Sequence, residues 1–168
     1  MTTYDNQPLN LPVDTFLDER QVPYEKLRFS PETEKGAANV AQALGYNESQ
    51  IVKTLVFESG VGEQVLVMLG GDKNAASSNL KRAIGSRDIK LASPEKVIEV
   101  TGYAIGSIPP FHWQPPGFRT FIDSSLMDET ILGVGAGTWG EETMILPTEL
   151  ARITEATVVN LSVNQQVS

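Results

Sequence analysis

Residues Ile51 to Leu69, which read IVKTLVFESGVGEQVLVML, carry the clearest signal for the fold. Residues 51–58 and 64–69 are dominated by β-branched and other large apolar side chains, and residues 59–62 between them are typical of a turn. Two such runs joined by a short glycine-containing connection predict a β-hairpin. Side chains alternate across a strand, so one face of the first strand carries Ile51, Lys53, Leu55 and Phe57. Three of these four are large and apolar, which predicts that this face belongs to the core.

Outward from the hairpin, short helices alternate with short strands. Apolar spacing, caps and prolines predict helices at residues 11–22, 37–44, 74–84, 94–100 and 147–153. Strand-like segments occupy residues 24–29, 118–123, 130–134, 143–146 and 158–159. Residues 102–117 hold four prolines and three glycines, which favour an ordered loop. Six to seven strands with four to five helices, and hairpins beside crossovers, predict a mixed α/β fold in a single domain.

Composition excludes several classes of function. The chain has 168 residues, of which 40% are hydrophobic, as is typical of one globular domain. With no cysteine and one histidine it cannot form disulfides, thiolate metal sites or paired-histidine zinc sites, and we expect neither metal nor cofactor. No apolar run is long enough to span a bilayer, and Met1 to Leu11 lacks the features of a secretory signal. We therefore expect a cytoplasmic protein without membrane contact.

The charge is unevenly distributed along the chain. The net charge is −8, which argues against a protein that coats DNA or RNA. Residues 72–90 nevertheless hold five basic and two acidic side chains. This basic patch, which we define as Lys81, Arg82, Arg87 and Lys90, could bind one end of a polyanion; the alternative is a solvated helix face.

Lys53 is the most informative residue of the hairpin. It stands in an otherwise apolar row, and burying an unpaired ammonium is costly. The side chain must therefore reach solvent, meet an anion or line a polar pocket. The alternative is an edge-strand lysine that blocks aggregation.

Two glycine-containing segments could approach a ligand closely. Residues 101–110, TGYAIGSIPP, could present free backbone N–H groups to an oxyanion or a carbonyl, or could be an ordinary structured loop. Residues 133–140, GVGAGTWG, formally match the dinucleotide-binding pattern, but a strand-like segment follows instead of a helix, so we reject that interpretation. A glycine-rich turn or a pocket wall remains.

Other candidate catalytic groups are weak. His112 has no Gly-x-Ser-x-Gly partner motif for a catalytic triad. The carboxylates of the second half have no spacing typical of metal ligands, so we expect them on a solvated surface; they are Asp123, Asp128, Glu129, Glu141 and Glu142.

Together these segments resemble the YbaK/ProX family of aminoacyl-tRNA editing domains, also called prolyl-tRNA-synthetase-associated domains. The resemblance rests on Ala43-Leu44-Gly45, on Ile51 to Val56 with its lysine, on Thr101-Gly102-Tyr103 through Gly106 to Pro109, and on the loop 133–140. It covers residues 12–158. We therefore expect an N-terminal extension at 1–11, an editing domain at 12–159 and a polar tail at 160–168 that frays.

The resemblance implies a curved mixed sheet, surrounded by helices, that holds one central pocket. It implies that Lys53 and Gly106 are the principal functional residues, with Lys53 anchoring the tRNA terminus and the Gly106 N–H meeting the substrate carbonyl or oxyanion. It also implies pocket-lining roles for Phe29, Thr54, Ile105, Ser107, Gly135, Ala136 and Gly137. Where some members of the family carry an acidic residue after the glycine loop, this chain aligns near Thr143.

The function implied is hydrolysis of the ester that links a wrong amino acid to the tRNA 3′ end, with the neighbouring ribose hydroxyl assisting. The partners would be the acceptor end of an aminoacyl-tRNA, with the basic patch holding it, and a synthetase, but not DNA. One alternative is a non-catalytic module that binds an amino acid, a nucleotide or a tRNA end. Another is a small-molecule esterase. The sequence does not identify the amino acid or the tRNA.

Overall fold

The structure is a computed structural model that describes residues 10–165. Its helices follow the capping and proline signals of the sequence: Ser93 Oγ accepts the Lys96 N–H at 3.1 Å, and Gly45 ends its helix in the left-handed conformation. The five α-helices are α1 (Pro12–Glu19), α2 (Ala37–Leu44), α3 (Ser77–Ile84), α4 (Pro94–Thr101) and α5 (Pro147–Thr154). Two 3₁₀ turns cover Glu48–Gln50 and Ser124–Asp128.

The strands are short, and the predicted hairpin is the longest pair. The strands are β1 (Tyr24–Arg28), β2 (Val52–Ser59), β3 (Gln64–Gly70), β4 (Lys73–Ala75), β5 (Ile89–Leu91), β6 (Thr120–Asp123), β7 (Leu132–Gly135), β8 (Glu141–Ile145), β9 (Thr157–Val159) and β10 (Ser162–Asn164). The described residues therefore hold ten strands rather than six or seven. The predicted mixed α/β fold is confirmed.

Three sheets share these strands. The largest has the order β5-β2-β3-β6-β9, in which β3, β6 and β9 run parallel and the other pairs are antiparallel. A second sheet has the antiparallel order β1-β8-β7, and β4 pairs with β10. A parallel bridge between Ile51 and Gly133 connects the first two sheets. Crossovers beside hairpins give the mixed topology that the sequence predicts.

The large sheet has core on both faces. Phe57, Val65 and Val67 pack with α3 on one face, while Val56 and Leu66 pack with α4 and Ile108 on the other. The β1-β8-β7 sheet packs against α1 and α5 in a third cluster that includes Val13, Leu17, Leu132, Val134, Ile145 and Leu150. Two-sided burial explains why residues 64–69 are apolar without alternation.

The structure corrects two sequence-based expectations along the chain. The predicted helix at 74–84 begins only at Ser77, because residues 73–75 form β4 and pair with β10. Strand β5 was not predicted. It has only three residues and forms by pairing with the end of β2, so the local sequence gives little indication of it. Residues 102–117 contain no helix or strand, as expected, and neither do residues 118–119, where the sequence predicts the start of a strand, because β6 begins only at Thr120.

The stretch after Asn160 does not fray within the described residues. Leu161 is fully buried, and Ser162 to Asn164 form β10. Asp123, also fully buried, holds this strand in place: its carboxylate accepts hydrogen bonds from the Leu161 N–H at 2.7 Å and the Ser162 hydroxyl at 2.8 Å. The Ser125 hydroxyl donates to the same carboxylate. The rest of the predicted tail, residues 166–168, and most of the predicted extension, residues 1–9, lie outside the described residues.

Asp123→Ala should lower the free energy of unfolding by about 2–3 kcal/mol, because it leaves the buried Leu161 N–H and the Ser162 hydroxyl without their acceptor. Urea unfolding followed by circular dichroism measures the change. Asp128→Ala is the matched control, since Asp128 is an exposed acid in the 3₁₀ turn that follows Asp123. We expect this substitution to change the free energy of unfolding by no more than about 0.5 kcal/mol. Equal effects of the two substitutions would contradict this account of β10.

Candidate functional site

A cavity of about 180 Å³ lies where the two larger sheets diverge. After their bridge at Ile51 and Gly133, β2 and β7 separate, and the start of α2 and the loop 102–119 close the space between them. The lining residues are Gly36, Ala37, Val40, Ile51, Val52, Lys53, Thr54, Leu55, Ile105, Gly106, Ile108, Gly135, Trp139 and Glu142. Segments that are distant in the sequence therefore meet around one small, largely apolar space.

The middle of β2 presents an unpaired edge to this cavity. The Val56 carbonyl accepts the Ala92 N–H, so Val56 points its backbone groups away from β3. In an antiparallel strand this direction repeats every second residue, so the Thr54 N–H and C=O point the same way. The pairing with β5 covers only Phe57 to Ser59, and no strand of the described residues covers Thr54 on that side.

The Thr54 side chain adds a second unpaired group. Its hydroxyl is enclosed and has no hydrogen-bond partner among the described residues. A buried hydroxyl without a partner is unfavourable by about 1–3 kcal/mol, and most buried polar groups in native proteins avoid this. Such a group at a cavity indicates a position where a ligand or water completes the hydrogen bonding.

Glu142 points into the cavity from β8. It pairs in register with Gly135 of β7 and Leu27 of β1, and the side chain is 7% exposed. Gly133 leaves room for it, since a Cβ there would lie 3.0 Å from Glu142 Oε2. Burial raises the pKa of the Glu142 carboxyl to about 8, so at neutral pH it is mostly protonated and can donate a hydrogen bond.

The expectation that the carboxylates of the second half lie on a solvated surface is wrong for three of them. Asp123, Glu141 and Glu142 are buried, because each takes a position that the pairing of β6 or β8 turns inward. Glu141 forms a salt bridge of 2.8 Å with Arg28 on the face of β8 opposite the cavity. Asp128 is exposed and Glu129 is half-buried. The acid near the glycine loop is thus Glu142, and Thr143 faces the other side with Glu141.

Lys53 is held at the start of β2 by groups of the β3–β4 connection. Its ammonium donates a hydrogen bond to the Lys73 carbonyl of β4. Burial lowers the pKa of the Lys53 ammonium, and the nearby carboxylates of Glu48 and Asp72 partly offset that effect. The lysine is half-buried, which fits neither a free surface lysine nor an edge strand that meets solvent.

Gly106 has a conformation that favours glycine, with φ at +98°. Its N–H has no acceptor among residues 10–165, so it is available to a ligand at the cavity. The loop is held from behind by the glycines of the segment after β7. The Gly137 N–H donates to the Ser107 carbonyl at 2.8 Å, and a Cβ at Gly135 would lie 2.8 Å from the Ile108 carbonyl oxygen.

A tyrosine–histidine pair supports the same loop. The Tyr103 hydroxyl lies 2.5 Å from His112 Nε2, and a Cβ at Gly137 would lie 2.6 Å from the Tyr103 ring. Burial lowers the pKa of His112, so its imidazole is mostly neutral at pH 7 and Nε2 can accept a hydrogen bond from the Tyr103 hydroxyl. His112 lines a different cavity, between α1 and α5, and not the one at Lys53.

The structure separates the predicted site residues into two groups. Those that line the cavity are Lys53, Thr54, Ile105, Gly106 and Gly135. Those that lie behind its wall are Phe29, Ser107, Ala136 and Gly137. Phe29 packs on Trp139 with ring centroids 4.9 Å apart, and Ala136 is buried with the core of α1. These four shape the lining without touching the cavity.

The basic patch lies at the other end of β2. Lys81, Arg87 and Lys90 line a cavity with Glu58 and Ser59, and Arg82 lines the adjoining one. The distance from Thr54 to Ser59 along the strand is about 15–20 Å. None of the four basic residues forms a salt bridge within the described part of the chain, although the patch cavity also includes Glu58 and Asp88.

Among the lining residues that sequence reasoning did not predict, Glu142 and Trp139 are those with an ionisable or aromatic side chain. Alternation along β8 was the available signal for Glu142, since it shares a face with Met144 and not with Thr143. Across residues 10–165 there is no group of three or more histidine and acidic side chains that could hold a metal ion. Nor does any helix in that range have the length and apolarity needed to cross a membrane.

Burial of Glu142 predicts a pH-dependent stability. The folded state holds a proton between the ordinary pKa near 4.5 and the raised value near 8, whereas the unfolded state has lost it. Stability should therefore fall as the pH rises through that window, by at most about 1.4 kcal/mol per pH unit. Glu142→Gln cannot ionise and should lose this dependence. Urea unfolding of both proteins from pH 5 to 8 measures it, and parallel curves would contradict a protonated Glu142.

Comparison with known proteins identifies the family. The model of the aminoacyl-tRNA editing domain matches residues 30–153. The Multifunctional Ser/Thr-tRNA deacylase ProXp-y of Escherichia coli K12 is 31% identical over 125 residues, which cover 72% of this chain and 74% of that protein. A crystal structure of a proposed trans-editing enzyme for prolyl tRNA synthetase superposes with a TM-score of 0.79 at 30% identity, covering 90% of this chain and 95% of that one.

The chain is also similar to part of a much longer enzyme. The proline–tRNA ligase of Pelobacter propionicus is 34% identical over 76 residues, which cover 45% of this chain but only 13% of the ligase. The similarity to editing domains extends over the cavity, the lysine strand and both glycine-containing segments. This chain is a member of the aminoacyl-tRNA editing domain family.

Proposed function

We propose that this chain is an aminoacyl-tRNA deacylase that hydrolyses the ester between a small amino acid and the 3′-terminal ribose of tRNA. The observation that carries the proposal is the meeting of the free Gly106 N–H, the unpaired Thr54 edge and Lys53 at one cavity of about 180 Å³. The deacylase named among the relatives supports it. Aminoacyl-tRNA would be met in the cytoplasm, and the similarity to proline–tRNA ligases makes a synthetase a candidate partner.

In this reaction the protein positions the ester and the attacking water and does not itself supply a nucleophile. Water adds to the ester carbonyl carbon, the bond to the ribose oxygen breaks, and the proton from water passes to that oxygen with the neighbouring ribose hydroxyl as relay. Negative charge develops on the carbonyl oxygen, and a fixed backbone donor stabilises it. The Gly106 N–H takes this role because its loop is held on the far side by the segment after β7.

Lys53 anchors the tRNA terminus through a phosphate or a ribose hydroxyl. Its ammonium is fixed at the Lys73 carbonyl, and an ammonium has further donors for a ligand. Burial lowers the pKa of the Lys53 ammonium, while Glu48 and Asp72 oppose that effect. Its hydrogen bond to the Lys73 carbonyl uses an N–H donor of the side chain, which suits binding better than proton abstraction. We therefore assign Lys53 to binding and orientation.

The polar groups inside the cavity favour a small amino acid with a hydroxyl. The Thr54 hydroxyl lacks a partner, and the protonated Glu142 carboxyl can donate. A seryl or threonyl side chain supplies both an acceptor and a donor to such groups, whereas an alanyl side chain would leave them unpaired. The name of the Escherichia coli relative, a Ser/Thr-tRNA deacylase, supports the same choice.

The basic patch extends the site along the tRNA. Lys81, Arg82, Arg87 and Lys90 lie about 15–20 Å from Thr54 along β2, and their charges are not neutralised by salt bridges in the described residues. If the 3′ end occupies the cavity, that separation places the patch near the phosphates of the acceptor stem. Contacts to phosphates do not depend on the nucleotide sequence of the tRNA, and their contribution to binding weakens as the salt concentration rises.

Deacylation of alanyl-, cysteinyl-, seryl- and threonyl-tRNA, on matched and unmatched tRNA, tests the proposal directly. We expect turnover of seryl- or threonyl-tRNA by the wild type and a loss of about 100-fold in kcat/KM for Lys53→Ala, because a misplaced ester loses its alignment. Lys96→Ala is the control, since Lys96 is a lysine of α4 whose one salt bridge among residues 10–165 is to Glu99. The rate of ester loss is followed by acid precipitation of labelled aminoacyl-tRNA.

The other outcomes separate the alternatives. No turnover by folded protein would favour a binding module, and turnover of a free aminoacyl ester without preference for tRNA would favour a small-molecule esterase. Turnover that survives Lys53→Ala would keep the enzyme class and overturn the assignment of Lys53.

Arg82→Glu with Arg87→Glu should raise KM for charged tRNA by about 10-fold or more and reduce the salt dependence of kcat/KM, because each lost phosphate contact removes counterion release. The control is Arg20→Glu with Lys96→Glu, which changes the net charge equally on α1 and α4. If both double variants raise KM alike, the effect is general repulsion and the patch has no specific role.

A further inference from the structure

Trp139 is a fixed aromatic ring at the cavity. Its indole Nε1–H donates to the Thr33 carbonyl at 3.0 Å, and its ring meets Phe29 edge to face, with centroids 4.9 Å apart. Phe29 is itself buried, with 4% of its surface exposed, so the Trp139 ring packs against the core. The ring is half-buried and lines the cavity beside Gly106. A rigid indole in this place is a ready surface for a second planar group.

One face of this ring carries a lysine. The Lys35 ammonium lies 3.8 Å from the Trp139 ring centroid. Its Cδ lies 3.9 Å from the position a Cβ would take at Gly106, so the side chain reaches across from the Gly106 loop to the indole. Lys35 is exposed and forms no salt bridge within residues 10–165. The positive charge of Lys35 is therefore available to an anionic ligand.

The rim of the cavity also exposes an apolar side chain. Ile105, next to Gly106, is 50% exposed although it lines the cavity. An aromatic face, an apolar side chain and an unneutralised cation together match the parts of a nucleotide. Its base can stack and its phosphate can pair with the ammonium.

We propose that Trp139 and Lys35 form the subsite for the 3′-terminal adenosine of the tRNA, an inference that rests on the proposed function. The adenine stacks on the Trp139 ring in place of the Lys35 ammonium, with Ile105 against the nucleoside. The ammonium then pairs with the phosphate on the 5′ side of that nucleoside. This arrangement leaves the ester at the Gly106 N–H and the amino-acid side chain at Thr54 and Glu142.

The test uses the fluorescence of Trp139 in the full chain. Because the chain has two tryptophans, Trp113→Phe leaves Trp139 as the only indole. Titration with the uncharged RNA trinucleotide CCA should give a saturable change in emission. CCC should bind about 5-fold more weakly or worse, since a pyrimidine stacks over less area. On the same background, Lys35→Ala should weaken CCA binding about 10-fold and reduce its salt dependence, while Lys35→Arg should retain most of it.

Kinetics add a second readout. Lys35→Ala should raise KM for charged tRNA about 10-fold with kcat within 2-fold, because the lysine contacts the nucleotide and not the ester. Lys96→Ala is again the control. Thermal unfolding establishes that each variant folds.

The outcomes separate this inference from the proposed function. If the wild type deacylates tRNA but CCA leaves the Trp139 emission unchanged, or if CCC binds as well as CCA, the subsite is overturned and the deacylase stands. A Lys35→Ala variant with unaltered affinity and KM also overturns it. If CCA binds with the expected dependence on Lys35 but no charged tRNA is deacylated, the subsite stands and the proposed enzyme fails.

Discussion

The interrupted pairing of β2 is the constraint on which the site depends. This strand has a neighbour at its start, through the bridge from Ile51 to Gly133, and another at its end, through β5. Between them, backbone groups that a sheet would normally pair face an open space. The start of α2 and the loop 102–119 close the space beside this gap without filling it. The cavity is therefore part of the sheet topology and not a separate insertion.

The polar groups inside this gap are stable only because the surrounding structure fixes them. Thr54 and Glu142 lie in a largely apolar lining that also includes Lys53, and apolar side chains in place of Thr54 and Glu142 would fold more favourably. Glycines make the close approaches: Gly133 leaves space for the Glu142 carboxyl, and Gly135 and Gly137 allow the segment after β7 to contact the Gly106 loop. Such local losses of stability are typical of functional sites.

Lys53 is positioned by a chain of contacts that reaches the C-terminal strand. Asp123 holds β10 through hydrogen bonds, and β10 pairs with β4. The Lys73 carbonyl of β4 then accepts a hydrogen bond from the Lys53 ammonium. The Lys73 side chain in turn donates to Asn164 Oδ1 of β10. Residues 162–164 thus bear, through β4, on a lysine more than a hundred positions earlier in the sequence.

Local patterns in the sequence predict the parts of this protein that short-range interactions control. Side-chain alternation, capping residues and proline content account for the hairpin at 51–69, the helices α2 and α4 with their caps, and the irregular segment 102–117. Five site residues that the resemblance to editing domains implied also line the cavity: Lys53 and Thr54 lie on β2, Gly135 ends β7, and Ile105 and Gly106 lie in the loop 102–119.

The burial of polar groups and the pairing of distant segments depend on long-range contacts, which local patterns do not predict. Glu142 enters the cavity and Glu141 does not because the register of β8 against β1 and β7 sets which face each residue takes, and a shift of one residue reverses that choice. Residues 73–75 and 162–164 are too short to predict as strands, and each becomes one because the other supplies its hydrogen-bonding partner. Long-range pairing leaves no local signal in the sequence. The surroundings of Lys53 and of Trp139 at the rim of the cavity therefore could not be predicted from local patterns.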